Sequence, residues 1–118
     1  MIKIKRAYEK MDPDDGRRIL VDRLWPRGIK KTEAGIGEWL KELGPSTELR
    51  RWFSHDPEKW PEFKKRYTQE LSDHHKTELL ENIAHDARVN NITLIYAAKD
   101  TEHNNARVLE EVIKRKMN

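Results

Sequence analysis

The chain has 118 residues, a length that suits one domain, and its charged share of 38% exceeds its hydrophobic share of 36%, so the core must be small. A net charge of +3 is too mild for a protein built to coat nucleic acid, and no apolar run is long enough to form a membrane-spanning helix. The absence of cysteine excludes disulfides, thiolate nucleophiles and Cys-based zinc sites, and it suits a reducing, cytoplasmic setting.

The first segment alternates: Ile2, Ile4 and Tyr8 are spaced among charged residues, as in a half-buried strand rather than a signal peptide. Asp12-Pro-Asp-Asp-Gly16 is a turn. The continuous run Ile19-Leu-Val21 predicts a strand covered on both faces, extending over Ile19–Trp25 until Pro26 and Gly28 stop it. Ile36, Trp39, Leu40 and Leu43 form a stripe that predicts a helix closed by Gly44-Pro45. A short helix carries Leu49, Trp52 and Phe53, with Ser46 as N-cap. Asp56-Pro57 opens the next, with Trp60, Phe63, Tyr67 and Leu71 on its apolar face. Leu79, Leu80, Ile83 and Ala84 mark a helix reaching about Arg88. After Asn90-Asn91 comes the clearest strand, Ile92–Ala98. A last helix, capped by Asp100 or Thr101, turns Ala106, Leu109, Val112 and Ile113 inward.

This pattern predicts one α/β domain over residues 1–118, with a mainly parallel sheet of about three strands flanked by about five helices in Rossmann-like layering. The short first connection leaves an antiparallel first pair open.

Ligands of open α/β sheets tend to bind beyond the carboxyl ends of the strands. Both central strands end in polar clusters there: Asp22, Arg23, Trp25 and Arg27 on one, and Asp100, Glu102, His103, Asn104 and Asn105 on the other. A helix N-terminus favours anions, and Arg23 and Arg27 could grip a phosphate or carboxylate. His103 could serve as acid or base. Asp22 and Asp100 could orient the arginines or hold a hard cation such as magnesium. The bland alternatives are an Asp22–Arg23 pair or backbone ligation at the sheet edge, a capping Asp100, and a solvated His103. Arg50 and His55 flank the short helix and could line the same pocket, whereas Arg66 with Glu70 reads as an i,i+4 surface pair.

The five histidines show no metal-binding spacing, and no glycine-rich phosphate loop or nucleophile elbow occurs. Composition and spacing identify no cofactor.

The string Asp15-Gly16 through Val21-Asp22-Arg23-Leu24-Trp25-Pro26-Arg27-Gly28, with Lys31, resembles the signature of the YeaO-like bacterial proteins, domain-of-unknown-function family 488. The match continues through Trp39-Leu40, Pro45-Ser46, Glu48-Leu49-Arg50, Trp52-Phe53, His55-Asp56-Pro57, Trp60, Phe63, Arg66-Tyr67 and Glu70-Leu71. It ends with Leu94, Tyr96-Ala97-Ala98-Lys99-Asp100 and Glu102-His103-Asn104-Asn105-Ala106. The resemblance implies a small cytoplasmic α/β protein of prokaryotes and no particular reaction. It marks Asp22, Arg23, Arg27, Arg50, His55, Asp56, Arg66, Tyr67, Asp100, His103, Asn104 and Asn105 as the polar signature. Asn105 departs from the pattern, since members often carry another small or polar residue there.

Three readings follow. The first is a protein that binds, or acts on, a small anionic or nucleotide-like ligand, with His103, Asp22 and Asp100 as the chemical groups and Arg23, Arg27, Arg50, His55, Arg66, Tyr67 and Asn104 as ligand contacts. The second is a structural or interaction protein in which Arg and Asp stitch helices to the sheet. The third is a nucleic-acid-binding regulator, supported by Arg50, Arg51, Lys64, Lys65, Arg66 and Lys114-Arg115-Lys116 but by no helix-turn-helix with a basic recognition helix.

Overall fold

The computed structural model describes residues 1–31 and 35–118. Among these residues four strands form one sheet: β1 (Ile2–Arg6), β2 (Arg17–Leu20), β3 (Glu38–Trp39) and β4 (Ile92–Tyr96). The spatial order is β1-β4-β2-β3, and every neighbouring pair is parallel. The antiparallel first pair that the short connection left open does not form, because β4 lies between β1 and β2. Ile4 and Ile19 both register with Leu94, from either side. β4 is buried along its whole length, as the residues of a strand covered on both faces must be.

Four α-helices accompany the sheet: α1 (Thr47–Phe53), α2 (Trp60–Glu70), α3 (His74–Ala87) and α4 (Asn105–Met117). Ser46 caps α1 as expected, its Oγ accepting from Leu49 N at 3.1 Å. Asp56 caps a single 3₁₀ turn, Pro57–Lys59, that runs straight into α2. Several expectations are corrected. The stripe Ile36-Trp39-Leu40-Leu43 is not a helix: Glu38–Trp39 pairs with Ile19 and Leu20 as β3, and Lys41–Leu43 is a 3₁₀ turn. The two central strands end earlier than Trp25 and Ala98, at Leu20 and Tyr96, and Tyr8 lies beyond β1 and is exposed. The cap of α4 is Asn104, not Asp100 or Thr101; its side chain accepts from Arg107 N at 3.0 Å.

The layering also differs from Rossmann-like. Strand alternation puts Ile2, Ile19, Val21, Ile92, Leu94 and Tyr96 on one face, and they join the same core cluster as Leu49, Phe53, Phe63, Tyr67, Leu80, Ile83, Leu109 and Ile113 from all four helices. The opposite face carries Lys3, Lys5, Arg18, Leu20, Thr93 and Ile95, and irregular chain covers it. The Thr93 hydroxyl donates to Asp15 O at 2.7 Å, and Arg18 Nε donates to Gly35 O at 2.9 Å. The steps β1→β2 and β2→β3 cross the sheet in one direction over this loop face. The step β3→β4 returns over the helical face, which keeps one crossover hand throughout.

Asp15 organises the loop face. Its buried carboxylate receives Lys5 Nζ at 2.9 Å, Lys3 Nζ at 3.1 Å and a guanidinium nitrogen of Arg18. Burial alone would push this acid up, but Lys5, the Asp12 amide, Lys3 and Arg18 outweigh it and hold the carboxyl far below the usual range. Gly16, next to it, has φ +64°, and a Cβ there would stand 2.2 Å from Asn91 O, so this turn requires glycine.

Candidate functional site

Where β2 and β4 end, the backbone leaves polar groups that the sheet no longer pairs, and Asp22 takes up several of them. Its Oδ2 accepts from Ala97 N at 2.9 Å, just past the end of β4, and its Oδ1 accepts from Asn105 Nδ2 at 3.0 Å, at the first turn of α4. The same Asn105 amide donates to Val21 O at 3.1 Å, and Trp39 Nε1 donates to Asp22 O at 2.7 Å. One half-buried aspartate therefore ties β2, β4, β3 and α4 together. Burial pushes its carboxyl above the ordinary value, and the Asn105 and Ala97 hydrogen bonds and the charge of Arg50 only partly offset this.

Arg23 turns the other way. Its Nε donates to Pro45 O at 3.0 Å and its Nη2 to Gly44 O at 2.9 Å, so the guanidinium fork clamps the turn before α1. Gly44 allows the approach, because a Cβ on it would stand 2.7 Å from Arg23 N. Tyr67, fully buried on α2, donates its hydroxyl to Leu43 O in the same turn. Burial, with the neighbouring charges of Asp22 and Glu70, drives its phenol well above the ordinary value. Glu70 is not the partner of Arg66. Its two oxygens accept from Ser46 N at 2.8 Å and Ser46 Oγ at 2.6 Å, which secures the α1 cap. Arg66 pairs instead with Glu62, at 3.0 Å, and lies over the Trp52 ring at 4.3 Å.

Asp100 and His103 form a second cluster. Asp100 Oδ1 accepts from the amides of Glu102 at 2.9 Å and His103 at 3.0 Å, and Oδ2 faces His103 Nδ1 at 2.9 Å. Those contacts, the Glu102 amide first, hold the Asp100 carboxyl below its ordinary value. The His103 ring stands edge-on to Trp60, with centroids 5.3 Å apart, and Trp60 packs on Phe53 at 6.0 Å. Asn104 is buried as the helix cap.

Arg50 is placed one turn before the end of α1, three residues before Phe53. Its side chain makes no hydrogen bond or ion pair with the described residues, and its buried Nε has no partner. The charge of Arg50 acts on Asp22, which bonds to Asn105, while Phe53, three residues after Arg50, packs on Trp60, the ring that His103 meets edge-on.

The predicted set therefore divides. Asp22, with Arg50 in electrostatic reach, lies just past β2, and Asp100 with His103 lies between β4 and α4. Arg23, Tyr67 and Asn104 spend their hydrogen bonds within the fold. Arg27 and His55 are exposed, and Arg66 sits on the outer side of α2 with Trp52. His55 and Ser54 both adopt left-handed backbone, at φ 56° and 46°. Asp22 and Asp100 belong to separate hydrogen-bond groups, and no group of three or more His, Asp or Glu side chains placed to hold a metal ion occurs among the described residues. The residue underrated by spacing is Asn105. It stands in the polar cluster after the second strand and in the family signature, but nothing in the sequence says that it reaches back to residue 22.

Among the described residues no helix is long and apolar enough to cross a membrane. No solved structure matches the chain. Uncharacterized protein YeaO of Escherichia coli is 44% identical over 110 residues, 93% of this chain and 94% of that protein. Uncharacterized protein Rv3073c of Mycobacterium tuberculosis is 51% identical over 72 residues, and this match spans 61% of each protein. The family described as the inactive DUF488-N3 subclade matches residues 1–118. On the full-length family match and the YeaO similarity, the chain belongs to the YeaO-like DUF488 family, in its inactive DUF488-N3 subclade.

Proposed function

We propose that this protein binds a small oxyanion, such as a phosphate or carboxylate group, at the corner between α1 and the start of α4, without transforming it. The observation that carries this reading is Arg50: a guanidinium with a buried, partnerless Nε is an incomplete hydrogen-bonding group, and oxyanions complete such groups well. His103, oriented by Asp100 and Trp60, supplies a second donor at the rim. A binding role without turnover fits Asp22 and Asp100, whose oxygens are engaged by N–H groups rather than open to a substrate. It also fits the family description, which names the subclade inactive.

The test is thermal unfolding and calorimetry with sulfate, inorganic phosphate and a nucleoside monophosphate. The expected result is a melting temperature that rises with ligand concentration in the wild type and not in Arg50→Gln, with a smaller loss in His103→Gln. No rise in the wild type, or an equal rise in Arg50→Gln, overturns the reading.

A second reading has its own observation. Arg23 clamps Gly44 and Pro45, Tyr67 holds Leu43 and Asp22 joins three strands, so much of the signature stitches the fold. A purely structural signature predicts that Arg23→Ala and Tyr67→Phe melt lower than the wild type and that no anion changes the melting of the wild type or of Arg50→Gln.

A further inference from the structure

Asp22 and Arg50 are a half-buried acid and a half-buried cation that share no hydrogen bond or ion pair. The carboxylate is satisfied by two neutral donors, Ala97 N and Asn105 Nδ2, and the guanidinium by none. Arg50 is close enough for its charge to act on Asp22. The other groups facing Asp22 are accounted for. From α2 comes the buried Tyr67, whose hydroxyl is committed to Leu43 O. From α4 comes the neutral Asn105. On its own segment Arg23 is turned to Gly44 and Pro45. His103, two residues before Asn105, is held by Asp100.

Building on the anion site proposed above, we infer that seating an oxyanion on Arg50 draws a proton from solvent onto Asp22, so the site takes up anion and proton together. The reasoning is electrostatic. A buried carboxylate is tolerated in its charged form partly because a cation is near, and an anion that neutralises Arg50 removes that compensation and adds a repulsive charge. Linkage makes the effect reciprocal: protonating Asp22 must tighten anion binding by the same factor. Burial raises the Asp22 carboxyl above its ordinary value, so the added push acts in the same direction.

Sulfate is the probe, because it stays a dianion from roughly pH 4.5 to 8 and only protein groups titrate in that window. Its affinity is measured for the wild type, Asp22→Asn and Arg50→Gln. Protonation of His103 contributes to the first two alike, so their difference isolates Asp22. Asp22→Asn is expected to bind about fivefold or more tightly than the wild type at pH 7, and the two should converge as the pH falls. An equal affinity at pH 7, or a ratio that stays constant with pH, overturns the coupling while leaving the anion site intact. Absence of sulfate binding at every pH, or unchanged binding in Arg50→Gln, overturns the site itself. The His103→Gln protein gives a check that needs no Asp22 variant and removes the imidazole's own proton. Calorimetry in buffers of different ionisation enthalpy should show net proton uptake on sulfate binding to it at weakly acid pH, and zero uptake there refutes the coupling.

Discussion

At the scale of single residues, charge in the sequence shows where polar chemistry gathers but not what each group is spent on. Arg23 and Arg50 look equivalent in the chain, yet one is fully used on carbonyls and the other is not. Replacing Arg23 with alanine should therefore cost about 2 kcal/mol in urea unfolding, since two backbone acceptors lose their donors. Arg23→Lys should recover little of it, because an ammonium cannot span Gly44 and Pro45 as a fork does. Asp15 makes the opposite case for acids. Its folded-state carboxyl is held below the ordinary value, so its contribution is present in full above about pH 4 and is lost as acid drives the pH down toward the folded value. Asp15→Asn should lose about 3–5 kcal/mol at pH 7, because Arg18 and Lys5 keep their burial without their counter-charge. The gap to the wild type should narrow only below about pH 4 in unfolding curves taken across that range.

Among elements, caps and long apolar faces were the readable part. Ser46 and Asp56 open helical turns as their residue types predict, and the faces of α2, α3 and α4 follow the 3.6-residue spacing. The error at residues 36–43 has a physical source. Positions 36, 39, 40 and 43 satisfy helical spacing over barely two turns, a length at which the pattern cannot tell a helix from an edge strand followed by a tight turn. Pairing with β2 decides it, and that partner is about 20 residues away in the chain. The cap of α4 was misplaced for a similar reason, because several capping residues follow one another and only tertiary packing selects Asn104. Asn104→Ala should destabilise the protein by about 1 kcal/mol or more, as a buried cap that also donates to Asp100 O. Thr101→Ala, at an exposed position, should be within about 0.5 kcal/mol of the wild type. Equal losses for the two would mean that the cap is placed wrongly.

For the molecule as a whole, the mainly parallel character of the sheet was legible, while the direction of the first strand and the strand order were not. Helices between strands imply parallel pairing, but no feature of Ile92–Tyr96 announces that it inserts between β1 and β2. The layering was equally hidden. Apolar runs show that a strand is covered on both faces, not whether a helix or a loop does the covering. The asymmetry has a measurable consequence in native-state hydrogen exchange. Amides of Leu94 to Tyr96 should exchange last, since β4 is buried and paired on both edges. Amides of residues 24–30, which lie in irregular chain where Leu24 is 61% exposed, should exchange orders of magnitude sooner. Similar rates in the two segments would contradict this architecture.

The central place of β4 also bears on how the protein is made. Its two neighbours are translated early, and neither has the other as a partner. Until about residue 96 leaves the ribosome, β1 has no partner strand and β2 has only the two-residue β3, so each keeps an unpaired edge. Assembly must then wait for one late segment to slide between them, a distant closure that is intrinsically slow. The nascent chain is therefore most exposed to aggregation, and most in need of a chaperone, just before its final fifth appears.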